Sequence, residues 1–181
     1  MSWIMDTYSM HVRQASTAVV TGKPLALGGS KGRREATGRG LMIAMREALK
    51  TMKGMPDKVR VAVQGAGNVG AIGALLMHQA GHKIVALSDE RGAIHDPKGL
   101  DVVAITKWLD DQGRQPKDKR KFLDSYPATQ LVPKEKLLEI DCDVLAPCAI
   151  ENQIHHFDVT GTVTTKATRP LKRKPKTKRF G

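Results

Sequence analysis

The chain has 181 residues and a formal net charge of +12, with 40% hydrophobic and 27% charged residues, a balance expected of a folded core. Aromatic residues at 4% argue against a stacking platform for single-stranded nucleic acid, and no apolar run reaches the roughly 18 residues of a membrane span. The opening "MSWIMDTYSMHVRQAS" lacks the basic-then-apolar pattern of a secretory signal, and Cys142 and Cys148 are too few for a disulfide framework, so a reducing cytoplasmic setting is expected.

Along the chain, "ATGRGLMIAMREALKTMKG" from Ala36 places Met42, Met45, Leu49 and Met52 on one face of a helix. Gly54 suits a left-handed residue past its end, and Pro56 keeps the helix from continuing. "KVRVAVQ" reads as a strand, "NVGAIGALLMHQAG" as a helix stopped by Gly81, and "HKIVALSD" as a second strand. Such a strand-loop-helix-strand unit closes right-handed into a parallel sheet. "GLDVVAITKWLDDQG" predicts a helix that turns Leu100, Val103, Ile105 and Leu109 to the core. "KEKLLEI" predicts a short helix and "CDVLAP" a buried strand ending at Pro147.

Beyond Gln153 apolar periodicity fades. Lys166 to Arg179 holds eight Lys or Arg and no acid, which leaves 22 basic against 18 acidic residues elsewhere. The basic character is therefore mostly a tail, expected to be disordered from about Lys166 onward. Such a tail raises a second function class, a non-catalytic nucleotide-binding module whose positive end contacts nucleic acid or acidic partners. A solvated extension accounts for the same charges.

Gly65, Gly67 and Gly70 in "VAVQGAGNVG" form G-x-G-x-x-G between a strand and a helix. In that setting the first glycine permits a tight turn, the second lets backbone approach a pyrophosphate, and the third lets helix pack on strand. The positive helix end favours the anion. Asp89, at the end of the next strand, lies where a carboxylate bonds a ribose hydroxyl.

The stretches "KPLALGGSKGRREATGRG", "MSWIMDTYS", "VAVQGAGNVG", "VALSDERGAI", "DPKGLD" and "CDVLAPCAIENQI" together resemble the glutamate dehydrogenases, within the glutamate, leucine, phenylalanine and valine dehydrogenase superfamily. The resemblance covers about residues 1–154. It implies an α/β, Rossmann-like, mostly parallel doubly wound sheet with an N-terminal helical segment. Residues 1–35 are then a lead-in, 36–154 the NAD(P)-binding domain, and 155–181 a divergent basic tail.

The same resemblance implies NAD(P)-dependent oxidative deamination of L-glutamate to 2-oxoglutarate and ammonia, or its reverse. It assigns Arg33 and Thr37 to the cofactor phosphate and nicotinamide. Gly65, Ala66, Gly67, Asn68, Val69 and Gly70 form the phosphate loop. Ser88 and Asp89 fall at the adenosine ribose, and Ala149 and Asn152 beside the nicotinamide ribose. Asp89 leans the cofactor toward NAD, although Ser88 and Arg91 leave NADP open.

In that family the catalytic Lys and Asp come from an N-terminal domain that precedes the segment resembling "MSWIMDTYS". No catalytic residue is therefore expected in this chain, and its purified form is expected to be inactive alone. Lys31 aligns with the cofactor-side glycine motif rather than with the catalytic lysine. After "ENQI" the family continues into an "EGANGPT" segment, where this chain has "HHFDVTGTVTTKATRP". Homo-oligomers are usual in the family. His155 and His156 are adjacent, which points them to opposite sides of a strand, so no metal site is expected.

Overall fold

The computed structural model describes residues 1–116, 118–127 and 130–150; the basic tail and Asn152 lie outside them. Five strands form one sheet in the order β4-β3-β2-β1-β5. β1 (Arg60–Gln64) is an interior strand, parallel to β2 (Lys83–Ser88) on one side and to the edge strand β5 (Val144–Pro147) on the other. Val61 sits opposite both Ile84 and Val144. Two short strands absent from the sequence reading, β3 (Ala93–His95) and β4 (Leu131–Val132), extend the β2 edge antiparallel.

Val61, Ala62 and Val63 are all buried, which explains the unbroken apolar run of β1: both faces of an interior strand are covered. One face meets α2 (Ala36–Thr51), α3 (Gly70–Gln79) and α4 (Val102–Gly113) through Met45, Ala74, Met77, Val102 and Ile105. Full burial of each Val, Ile or Leu in this cluster stabilises the fold by about 1.5–3 kcal/mol before entropy is counted. The opposite face is narrower. Ala62, Ala86 and Ala93 pack there against Leu137 of a 3-10 helix at Lys134–Glu139.

Two core expectations change. Val103 is exposed, because α4 starts at Val102 and turns Val102, Ile105 and Leu109 inward at steps of three and four. Met52 is also exposed, because α2 stops at Thr51 and the chain extends before Gly54 takes its left-handed turn at φ 82°. The short helix expected at "KEKLLEI" is of the 3-10 type.

Small residues let α2 and α3 approach closely. A Cβ on Gly38 would lie 2.8 Å from the backbone N of Gly73, and one on Gly73 would lie 2.9 Å from Leu41 Cδ2. At the base of the sheet, Gly81 takes φ 93° and delivers His82, whose Nδ1 accepts from the backbone N–H of Val59 at 3.3 Å. Burial holds the His82 pKa below the usual histidine value. Beside it, Arg60 pairs with Asp141 and Asp143, and the Asp143 carboxylate also accepts from the Arg60 N–H at 2.7 Å. That backbone bond is the main reason the Asp143 pKa falls.

The N-terminal helix, α1 (Ser2–Val12), buries none of its residues. Three left-handed glycines, Gly22, Gly28 and Gly32, then turn the lead-in toward α2.

Candidate functional site

The chain leaves β1 toward β2 through α3, whereas β5 joins β1 from the other side. A crevice therefore opens above the carboxyl ends of β1 and β5, where the strand order reverses. In open α/β sheets this is the ligand position. The Gly65–Gly70 loop fills its floor.

The three glycines answer to different constraints. Gly65 takes φ 98°, and a Cβ there would lie 3.0 Å from both the Cys148 carbonyl and the Ala149 N. Gly70 admits no side chain, since its Cβ would lie 1.7 Å from the Gly65 carbonyl oxygen. Gly67 is exposed, and a Cβ there would have no atom within 4 Å. Neither backbone conformation nor protein packing asks for glycine at 67. The open space above Gly67 leaves the loop backbone accessible, which fits a phosphate-bearing group.

Neighbouring strands hold the loop in place. The Gly65 N–H donates to Ser88 Oγ at 3.3 Å, and the Cys148 N–H donates to the Gln64 carbonyl at 2.7 Å. Ser88 is buried, so its hydroxyl supports the loop from beneath. Asp89 is half-buried and its carboxylate accepts three backbone N–H groups, those of Arg91, Gly92 and Leu123. Ala149 is exposed and stands against Gly65 at the end of β5.

Three clefts meet at the loop. One of about 990 Å³ runs from Gly65, Ala66 and Gly67 past Asp89 to Phe122 and Lys134. A second, of about 700 Å³, lies between the loop and α4 and carries Asn68, Arg34 and Arg120. The third, of about 500 Å³, gathers Arg33 and Thr37 with Asn68 and Val69, and Lys31 lines it too. The structure thus brings Arg33, Thr37, Asn68 and Val69 to one wall, and Gly65 to Gly67, Asp89 and Ala149 to the other. Thr37 reaches that wall from the first turn of α2.

The clefts also hold residues the sequence reading missed. Phe122, Lys121, Arg120 and Lys134 come from segments distant along the chain, with no motif to announce them. Both cysteines are half-buried, and burial pushes their thiols above the usual range, against a nucleophilic role. Among the described residues no group of three His, Cys, Asp or Glu could hold a metal ion; His155 and His156 lie outside them. Among those residues, too, no helix is long and apolar enough to cross a membrane.

Comparison with known proteins agrees with this geometry. Residues 28–169 match the family described as Glutamate/Leucine/Phenylalanine/Valine dehydrogenase, which extends the likeness past Ile154. The chain is 46% identical to a glutamate dehydrogenase of Thermotoga maritima over 156 residues, 86% of this chain and 36% of the relative. It is 44% identical to the cryptic catabolic NAD-specific glutamate dehydrogenase GudB of Bacillus subtilis, over 85% of this chain and 34% of that protein. Among solved structures, the hetero-hexameric glutamate dehydrogenase of Thermus thermophilus superposes with a TM-score of 0.70 at 36% identity, covering 85% of this chain and 34% of that one. The chain therefore spans about a third of the length of these relatives. With the glycine loop, the switch-point crevice and this match in agreement, the chain belongs to the Glutamate/Leucine/Phenylalanine/Valine dehydrogenase family.

Proposed function

We propose that the Gly65–Gly70 loop binds the pyrophosphate of NAD or NADP, and that the chain forms the cofactor-binding part of an L-glutamate dehydrogenase. The observation that carries this reading is Gly67, a glycine whose only evident requirement is space above the loop. Relatives with NAD-specific and NADP-specific names support the same cofactor class.

The residues divide the work by position. Backbone N–H groups at the start of α3 face the anion, aided by the positive end of that helix. Arg33 supplies planar donors to a phosphate, while Thr37 and Asn68 offer hydrogen bonds to the nicotinamide side. Ala149 borders the nicotinamide ribose, a role the family resemblance extends to Asn152, and Ser88 keeps the loop in shape from below. The bound nicotinamide would take a hydride from the amino-acid Cα, or return it to the imino acid.

The acid-base groups of that reaction are assigned to the part of the relatives that this chain does not span. Oxidative deamination of L-glutamate thus needs that part, and the 181-residue chain alone binds cofactor without turnover. A cytoplasmic setting and assembly into homo-oligomers complete the reading. Titrating the purified chain with NADH and NADPH, followed by nicotinamide fluorescence, tests it together with a glutamate oxidation assay. Saturable binding without turnover is expected. Failure to bind either nucleotide, or robust glutamate oxidation by the chain alone, overturns it.

A further inference from the structure

α3 carries no charged residue from Gly70 to Gln79. Gly70, Gly73, Ala74 and Met77 are buried inside the fold. Ala71, Ile72, Leu75 and Leu76, on the outward side, are only half-buried and floor the cleft of about 700 Å³. A helix apolar on every side is normally covered on every side, yet this one opens on a groove. The groove follows α3 for about 12 Å, from Ala71 to Gln79. Arg34, Glu35 and Arg39 form one bank, and Thr106, Leu109 and Asp110 of α4 form the other.

α1 presents the converse. Among the described residues it is the one α-helix that buries nothing. Ser2, Met5 and Ser9 are half-buried on the side of the lead-in, where Ser9 Oγ accepts from the Ser16 N–H at 3.0 Å. The outward side carries Trp3, Thr7 and Met10 beside Ile4, Tyr8 and His11. Both rows have the i, i+4, i+7 spacing with which a helix enters an apolar groove. Trp3 is 89% exposed, Met10 67% and Ile4 55%. The helix is about 16 Å long, enough to fill the groove.

Charge matches the two surfaces as well. Asp6 is the only Asp, Glu, Lys or Arg of α1, and among the described residues it has no ion-pair partner. On the groove, Arg34 pairs with Asp110 and Arg39 with Glu35. Arg120 pairs with no acid among the described residues and spends one donor on the Gly113 carbonyl at 3.2 Å. The unpaired acid of the helix and the unpaired arginine of the groove are complementary.

We propose that α1 of one copy of this chain docks in the α3 groove of a second copy, with Asp6 against Arg120, and that two copies exchange α1 reciprocally to form a dimer. Trp3 and Tyr8 would each cover about 150–250 Å², so a single docked helix removes on the order of 1,000 Å² from water over both copies. Reciprocal exchange doubles that to roughly 2,000 Å², the size of a stable interface. Two-fold closure also leaves no groove open to a third copy. The contact involves no dinucleotide and is independent of how the glycine loop is read.

Sedimentation velocity on the full chain across about 1–100 μM, at one fixed salt concentration, tests it, and a reversible dimer with a Kd in that range is expected. Trp3→Glu, Asp6→Lys and Arg120→Glu should each weaken the dimer at least about tenfold. Asp6→Lys and Arg120→Glu combined in one chain should restore the Kd to within about threefold of wild type. All three positions are exposed, so the variants should fold, which circular dichroism checks. A monomer throughout the range overturns the proposal, as does a dimer that Trp3→Glu leaves intact. Single charge reversals that weaken the dimer without mutual rescue also overturn it, because α1 then meets another surface. A monomer that binds NADH removes the dimer alone and leaves the dinucleotide reading standing.

Discussion

Replacing the three loop glycines one at a time with alanine separates what the fold needs from what a ligand needs. At Gly70 the new methyl would sit 1.7 Å from the Gly65 carbonyl oxygen, and a Cβ has no rotamer to escape by. Backbone must move, so a loss of about 4 kcal/mol or more is expected, a large part of a typical stability of roughly 5–15 kcal/mol. At Gly65 the left-handed φ of 98° costs about 1–2 kcal/mol, and the 3.0 Å contacts to Cys148 and Ala149 add to it. At Gly67 neither penalty applies, and stability should stay within about 0.5 kcal/mol of wild type. The same methyl would stand where a pyrophosphate approaches the loop. Losing one charge-assisted bond of about 1.5–3 kcal/mol weakens dinucleotide binding by roughly ten- to a hundredfold. Urea unfolding followed by tryptophan emission measures the first quantity. Trp108 is half-buried and edge-on to Tyr126 at 5.2 Å, so it reports core loss, while Trp3 is 89% exposed. NADH and NADPH titration measures the second. If Gly67→Ala unfolds like Gly70→Ala, or binds nucleotide as well as wild type does, the division between structural and ligand-facing glycines is wrong.

Other perturbations address the framework. Because His82 is buried and neutral, with a folded pKa below that of the unfolded chain, its stabilising effect is complete above the unfolded value near 6.5. It is lost as pH falls from there through the folded pKa, and a His82→Gln variant should show a flatter stability curve below about pH 6.5 in urea melts. Gly38→Ala would press a methyl to 2.8 Å from the Gly73 N, so a loss of about 2 kcal/mol or more is expected by thermal melting. Asp101 caps α4 by accepting from the Ala104 N–H at 3.0 Å, and Asp101→Ala should cost about 1 kcal/mol in the same assay.

The parts of the fold that were readable were those carried by local pattern. The run of β1, the small-residue helix α3 and the stop at Gly81 each announce themselves within ten residues, and the glycine spacing marks the turn between the first two. β3 and β4 have three and two residues, too few for any periodicity to show. Val103 and Met52 were misjudged because one residue of phase, or one turn of length, decides which side of a helix faces the sheet. At the site, the loop was legible from its glycine spacing, while the shared cleft of Arg33, Thr37 and Asn68 was expected only through the family resemblance. The engagement of Asp89 was legible only in part: Arg91 and Gly92 lie within a local turn, whereas Leu123 is 34 residues away.

The close crossing of α2 on α3 has a mechanical consequence. Gly38 meets Gly73 almost backbone to backbone, and Thr37 stands directly before Gly38 on the same helix. Thr37 is therefore tied to the frame that carries the glycine loop, and Thr37, Asn68 and Val69 travel together as one side of the third cleft. Any swing of the lead-in relative to the sheet has to be absorbed before Ala36, in the run whose left-handed joints are Gly22, Gly28 and Gly32.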